Sequence, residues 1–340
     1  MKRTLFVNLV AVLAAFPVVA AEPPFVAAIP RAAKPVKIDG KLDDWKGAFA
    51  TPVHVGHPDF SNRGAEFYYA WDAQNLYIGL RCLDKKGAHV GTDAQLWNGD
   101  AVEFYIDTRR GADLGRKDFS DGVFHLFYTP FTGTDVKPRF ALRDLPHQKD
   151  LKLEGAEVAA EKTADGYTCA FKLPWALFPL FKPASGEIIG LECELCSSDG
   201  GPRSDRTFTF ASPACVFSPS AFARVKLVDT LEPADLLASG RVLLPLSLAK
   251  SANYGWMYGT VGVSTAIADR VTKIEGRLVG PAGKVVATST GALKLTGGFA
   301  QWLGAWELWD VPPGKYTLEI TASGKEGVIT SRSVKVLHEE

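Results

Sequence analysis

The sequence predicts an all-β protein made of two β-sandwich domains, and three observations carry that prediction. Aromatic and β-branched residues alternate with polar ones at period two in run after run, the pattern of strands with one face in a core. No stretch sustains the 3.6-residue period of an amphipathic helix. The chain of 340 residues exceeds one ordinary domain, and "DTLEPADLLASGR", from Asp229 to Arg241, interrupts the alternation with a Pro and a Gly.

The elements follow in chain order. Lys2 and Arg3, the apolar run from Leu5 to Ala15 and the small residues Val19, Ala20 and Ala21 form a signal peptide over residues 1–21, cleaved before Glu22. A domain at 30–229 follows. Helical turns are expected at "LDDWKG", with Asp43 as N-cap, and at "PWALFP", where Pro174 starts the turn. Strands are expected at 65–72, 76–83, 101–107, 123–129, 156–161, 166–173, 187–196, 206–211 and 222–228. Residues 230–241 read as a linker. Over 242–340, "IEGRLVGPAGKVVATS", "WELWDVPPGKYTLEITAS" and "TSRSVKVL" repeat strand, Pro/Gly turn and strand, which predicts an immunoglobulin-like sandwich.

Composition excludes several classes. Lys plus Arg and Asp plus Glu are 38 each, so the formal net charge is zero and no electrostatic footprint for nucleic acid exists. No segment reaches the roughly 18 apolar residues of a membrane span, so membrane insertion is not expected and the chain is placed in the periplasm or outside the cell. Five cysteines cannot all pair. Cys82, Cys169 and Cys193 sit in apolar strand patterns as small buried hydrophobes, and a bridge such as Cys196 with Cys215 stays open. Cys193 and Cys196 have no second pair for zinc, and the histidines His54, His57, His89, His125 and His147 are scattered. No phosphate loop, dinucleotide fingerprint or hydrolase nucleophile motif occurs.

The stretch "LWNGDAVEFYID", Leu96 to Asp107, carries the chemistry. Alternation sends Val102, Phe104 and Ile106 to the core, and Ala101, Glu103, Tyr105 and Asp107 to the other face, next to Trp97. An indole stacks on the apolar C–H face of a sugar ring, and carboxylates bond its hydroxyls in fixed directions. Trp97 and Glu103 are therefore expected to open toward one solvent-filled hollow. The Glu103 carboxylate has either a ligand or Arg81, expected beside it on the same face, as partner. Trp45, Trp71, Trp175 and Trp306 are expected in the core, and Trp302 or Trp309 as a contact surface for a protein partner of the C-terminal domain.

"VKIDGKLDDWKGA", "AWDAQNLYIGLRCLD", "LWNGDAVEFYID", "DGYTCAFKLPWALF", "GLECELCSSDG" and "FARVKLVD" follow one another over roughly residues 34 to 229. In that order they resemble a family 9 carbohydrate-binding module. The resemblance implies a jelly-roll-like sandwich with a sugar cleft, structural calcium, and two tryptophans gripping polysaccharide chain ends. Trp97 would be one of these, with Glu103 and Asp84 as hydroxyl-binding carboxylates. His125 and Phe127 stand where sugar-gripping members carry an Arg and an Asn, and Phe217 stands where the second tryptophan is expected. Asp39, Asp43, Asp44, Asp72, Asp84, Asp100 and Asp107 supply oxygen near turns, which suits calcium or simply the turns themselves. Haem, which some similar sandwiches hold with Met and His, is not expected, because Met257 is the one methionine after the signal peptide and lies in the second domain.

The leading expectation is thus an exported, non-catalytic carbohydrate-binding protein with the ligand set Trp97, Glu103, Asp84, Arg81, His125 and Phe217. The alternatives are a subunit of a surface assembly with a vestigial cleft, and a glycoside hydrolase using Glu103 and Asp84.

Overall fold

The computed structural model describes residues 25–54, 63–92, 95–210, 213–249 and 255–339. The expected signal peptide and His57 lie outside them. Among the described residues no helix is long and apolar enough to cross a membrane.

Twelve strands up to residue 228 make two sheets. One has five strands in the order β2 (Phe49–His54), β3 (Gly64–Trp71), β4 (Asn75–Leu83), β9 (Gly166–Pro174) and β8 (Glu157–Lys162). The other runs β1 (Ala27–Pro30), β12 (Ala223–Val228), β10 (Ile188–Ser198), β5 (Ala101–Asp107), β6 (Val123–Thr132) and β7 (Asp135–Leu142), with β11 (Arg203–Phe208) pairing β10 as well. All the predicted strands form, with ends shifted by at most three residues. β1, β2 and β7 were not anticipated: β1 is four residues long, and β2 and β7 are each interrupted by a proline, Pro52 and Pro138.

The inward faces pack ring against ring. Phe104 meets Phe171 edge-on at 4.9 Å, and Tyr128 meets the same ring at 4.4 Å. Trp71, fully buried on β3, donates its indole N–H to the carbonyls of Ile29 and Val228, both at 3.0 Å, and so fastens the parallel β1–β12 pair to the opposite sheet. Trp45 and Trp175 are buried, as expected. Residues 41–47 form turns rather than a helix, with the Trp45 amide bonded to the Leu42 carbonyl, and Asp43 caps nothing there. That turn presses on the outer face of the five-stranded sheet, where a Cβ at Gly79 would come within 2.9 Å of the Leu42 side chain. A single 3-10 turn starts at Trp175 after Pro174. All five cysteines are free and buried, so the Cys196–Cys215 bridge does not form.

The expected linker contains two short helices, α1 (Pro233–Ala238) and α2 (Gly240–Leu243). Glu232 and Asp235 cap α1 reciprocally, and Leu236, Val242 and Leu243 are buried. Eight further strands make two four-stranded sheets: β13 (Leu246–Leu248), β14 (Trp256–Val263), β18 (Phe299–Glu307) and β17 (Lys294–Thr296), facing β16 (Val285–Gly291), β15 (Lys273–Val279), β19 (Gly314–Gly324) and β20 (Gly327–His338). Trp302 and Trp306, 5.7 Å apart edge-to-face, fill the space between them. Trp306 is core as expected; of Trp302 and Trp309, Trp309 is the exposed one.

The two sandwiches are bonded directly. The short helix α3 (Thr265–Ala268) begins against β2 and β3: the Ser264 hydroxyl donates to the Ala50 carbonyl at 2.8 Å, and the Thr265 amide donates to the Glu66 carboxylate at 2.9 Å. Tyr68 donates its hydroxyl to the same carboxylate at 2.8 Å. Arg81 reaches across to the carbonyls of Gly297 and Gly298 at 2.8 and 3.1 Å. Burial pushes the Glu66 pKa up to about 7, against these bonds and the Arg81 charge. A raised carboxyl pKa gives stability that is full below the unfolded value and is lost as pH rises through the folded one. Glu66→Gln, which keeps the neutral form, is therefore expected to match wild type at pH 4.5 and to be more stable by about 3 kcal/mol at pH 9, read by urea denaturation. Equal stability at both pH values would contradict this.

Candidate functional site

The outward face of the seven-stranded sheet holds a dense polar cluster. The register places Glu103 of β5 directly opposite Glu194 of β10, with Tyr105 opposite His125 of β6. All four are buried, Glu103 with 4% of its surface exposed. Two carboxylates directly opposed on neighbouring strands repel each other. The surroundings answer that repulsion.

The Tyr105 hydroxyl lies 2.8 Å from Glu103 Oε2 and 2.9 Å from Glu194 Oε2, so one proton bridges the two acids. Glu103 Oε2 also meets His125 Nε2 at 2.7 Å. Arg143 Nη1 lies 3.3 Å from His125 Nδ1, and a guanidinium can only donate, so Nδ1 accepts and the proton sits on Nε2. Burial lowers the His125 pKa below the usual imidazole range, which agrees with that neutral tautomer. Burial also opposes ionisation of Glu103, but the His125 bond, Tyr105 and Arg203 together hold its pKa below the usual carboxylate range. Burial and the two glutamates push the Tyr105 hydroxyl far up, so it stays a donor.

Two arginines of β11 close the face. Arg206 grips Glu194 with Nε and Nη2, the latter at 2.7 Å, a bidentate pair. Arg203 Nη1 lies 3.5 Å from Glu194, 3.7 Å from Glu103 and 3.5 Å from the Cys196 sulfur. The Arg203 guanidinium also stacks over the Trp97 indole, 4.6 Å from its centroid, and its amide bonds the Asn98 side chain at 3.2 Å. The indole remains half-buried. The arginine side chains keep 21% and 33% of their surface in solvent, so they are the outermost members of the cluster.

The expected site residues separate into groups. Trp97, Glu103 and His125 come together on this face, but the hollow expected between Trp97 and Glu103 is filled by the Arg203 guanidinium. Arg81 is not beside Glu103: β4 and β5 belong to different sheets, and Arg81 bonds the second sandwich. Asp84 is likewise on the far side of that crossing, in a cleft at one end of the sandwich lined by Arg63, Lys85, Asp165, Ser198 and Asp199. There it neighbours the buried Asp100, which accepts from the Ala88 amide at 2.6 Å and from the Ser198 amide and hydroxyl at 2.9 Å. Burial and then Asp84 push the Asp100 pKa up to about 8. Phe217 stands 81% exposed on the loop before β12. Glu194, Arg203, Arg206 and Tyr105 are the members that the sequence did not single out; "LECEL" alternates its acids onto one face, which was the available signal.

Three of the expected aspartates have partners within the fold. Asp39 accepts the Lys41 amide, Asp72 the amides of Gln74 and Asn75, and Asp107 is clasped by the guanidinium of Arg109 with both nitrogens at 2.9 Å. Among the described residues, the one set of three side chains close enough to share an ion is Glu103, Glu194 and Cys196. A thiol and two neighbouring guanidinium groups do not suit a hard cation.

Comparison with known proteins gives the following. The sequence model described as carbohydrate family 9 binding domain-like matches residues 38–230. Among solved structures, a family 9 carbohydrate-binding module from Caldicellulosiruptor kristjanssonii in complex with cellotriose is similar at 20% identity, over 61% of this chain and 96% of that one, with a TM-score of 0.47. Its glucose complex is similar at 18% identity, over 60% and 97%, with a TM-score of 0.45. No curated protein matches.

Removing one partner of a buried ion pair strands the other charge. Arg206→Ala is expected to lower stability by about 3 kcal/mol in urea denaturation, and the double change Arg206→Gln with Glu194→Gln to lower it by less. A single change without effect would show that Glu194 does not depend on this arginine.

Proposed function

The chain belongs to the carbohydrate family 9 binding domain-like family over residues 38–230, and from that premise we propose that it is an exported, non-catalytic protein that binds a saccharide at Trp97. A pyranose is apolar on its C–H faces and ringed by hydroxyls, so its recognition needs an aromatic surface beside fixed hydrogen-bonding groups. The half-exposed indole of Trp97 offers the first. Arg203 and Arg206, tethered to Glu103 and Glu194 and part-exposed, offer the second. That juxtaposition carries the reading. Export rests on the basic, apolar and small-residue order of the N-terminus.

Protonation supports the non-catalytic reading. A glycosidase needs one carboxylic acid with a raised pKa to protonate the leaving oxygen. Glu103 is held below the ordinary range, which does not suit it to that role, and the Glu194 carboxylate is occupied by the Arg206 guanidinium. Burial pushes the Asp100 pKa up to about 8, but Asp100 is fully buried and bonded to backbone.

One observation favours a second reading. The guanidinium over Trp97 and the near-complete burial of Glu103 shut the face to a deeply inserted sugar. A subunit of a surface assembly, using this face or the second sandwich for protein contacts, would have that property. Affinity electrophoresis against plant and algal polysaccharides separates the two. Binding by the wild type, weakened about fivefold or more in Trp97→Ala, is the expected result, since loss of one stacked ring removes about 1 kcal/mol or more. No retardation on any glycan would favour the assembly subunit, and release of reducing sugar would contradict the non-catalytic reading.

A further inference from the structure

The charged groups of the outward cluster are layered, with the acids beneath and guanidinium groups above. Each of the four oxygens of Glu103 and Glu194 already faces a donor. Glu103 Oε2 has Tyr105 and His125, and Glu103 Oε1 has the Cys196 thiol and Arg203. Glu194 Oε2 has Tyr105 and Arg206, and Glu194 Oε1 has Arg206 and the Cys196 thiol. The two acids keep only 5% and 0% of their side-chain surface in solvent, so neither presents an acceptor to a ligand. The arginines, by contrast, have donors to spare. Arg206 spends Nε and Nη2 on Glu194, and Arg203 spends Nη1 on the acids and the Cys196 sulfur. Arg206 Nη1 and Arg203 Nε and Nη2 make no bond among the described residues, and both side chains reach solvent.

Both guanidinium groups are also fixed in advance, Arg203 over the Trp97 indole and Arg206 at 5.1 Å from the centroid of the Phe208 ring, which lowers the entropy cost of engaging them. The two aspartates of the same hairpin are engaged elsewhere: Arg63 bonds Asp199 at 2.9 Å and Asp205 at 3.4 Å. Asp205 precedes Arg206 in β11 and so points to the reverse face. Across the cluster, Arg143 bonds His125 and the Val216 carbonyl and has no carboxylate partner among the described residues. Three guanidinium groups thus stand against two carboxylates, with a neutral His125 between. A sugar hydroxyl both donates and accepts, whereas a carboxylate or sulfate only accepts. Pre-placed guanidinium donors with positive charge in excess match the second kind of group. We propose that the saccharide taken at Trp97 is an acidic one, whose carboxylate or sulfate group is held by Arg203 and Arg206 while its ring lies against the indole. This rests on the saccharide reading above and names the ligand class of that same site.

The full wild-type chain is titrated calorimetrically with a panel of uronate-bearing and sulfated polysaccharides, each beside its carboxyl-reduced or desulfated form, and with polyglutamate. This comparison needs no variant, so it stands even where a substitution disturbs folding. A charged polymer is expected to bind about tenfold more tightly than its neutralised form and to lose affinity as salt rises. A preference confined to the uronate pairs identifies a carboxylate as the group held, and one confined to the sulfated pairs a sulfate. Arg203→Gln, its folding checked by the thermal midpoint, is expected to bind the charged polymer about tenfold more weakly and to lose the preference over the neutralised form. Binding of charged and neutralised forms with equal affinity, lost in Trp97→Ala, overturns the acidic class and leaves the saccharide reading intact. Unchanged binding of the charged polymer by a folded Arg203→Gln overturns the role given to that arginine. Polyglutamate bound as tightly as the polysaccharide, or no glycan bound at all, overturns both readings.

Discussion

Two glutamates that face each other across neighbouring strands impose the order seen on the outward sheet face. Glu103 and Glu194 are both buried, and like charges so placed hold only if the protein neutralises them. Tyr105 bridges them, a neutral His125 donates to one, and two arginines from β11 complete the neutralisation. Arg203 is thereby drawn over Trp97, so the position of the indole's cover follows from the charge balance beneath it.

The second sandwich is not a loose appendage. Short helices, the first of them capped, occupy the expected linker, and Thr330 donates to the Leu236 carbonyl at 2.7 Å, tying β20 to α1. Glu66, Tyr68 and Arg81 of the first sandwich meet backbone groups of the second. Such direct bonding holds the second sandwich against the first.

The strand pattern was legible because alternation is a local property: Val102, Phe104 and Ile106 could be sent inward from sequence, and they are buried. What the sequence concealed was pairing between distant strands. Nothing in "NLYIGLRCLD" says that the chain leaves one sheet after Leu83 and enters the other at Ala101, so Arg81 and Asp84 were placed with Glu103 although they serve the inter-sandwich contact and the end cleft. The acid opposite Glu103 is 91 positions downstream and is found only through the β5–β10 register. Trp97 was legible from its position before a strand; the guanidinium on it was not, since Arg203 lies on a strand whose start was expected three residues later, at 206.

The account stands on contact between a sugar and the outward face at Trp97. Two-dimensional NMR of ¹⁵N-labelled protein, titrated with the trisaccharide of the best-bound polysaccharide, reads this directly from the indole and guanidinium N–H signals. The Trp97 Nε1–H and Arg203 Nε–H signals are predicted to shift together and to saturate with one dissociation constant. Signals at both positions that stay fixed up to saturating sugar would contradict it.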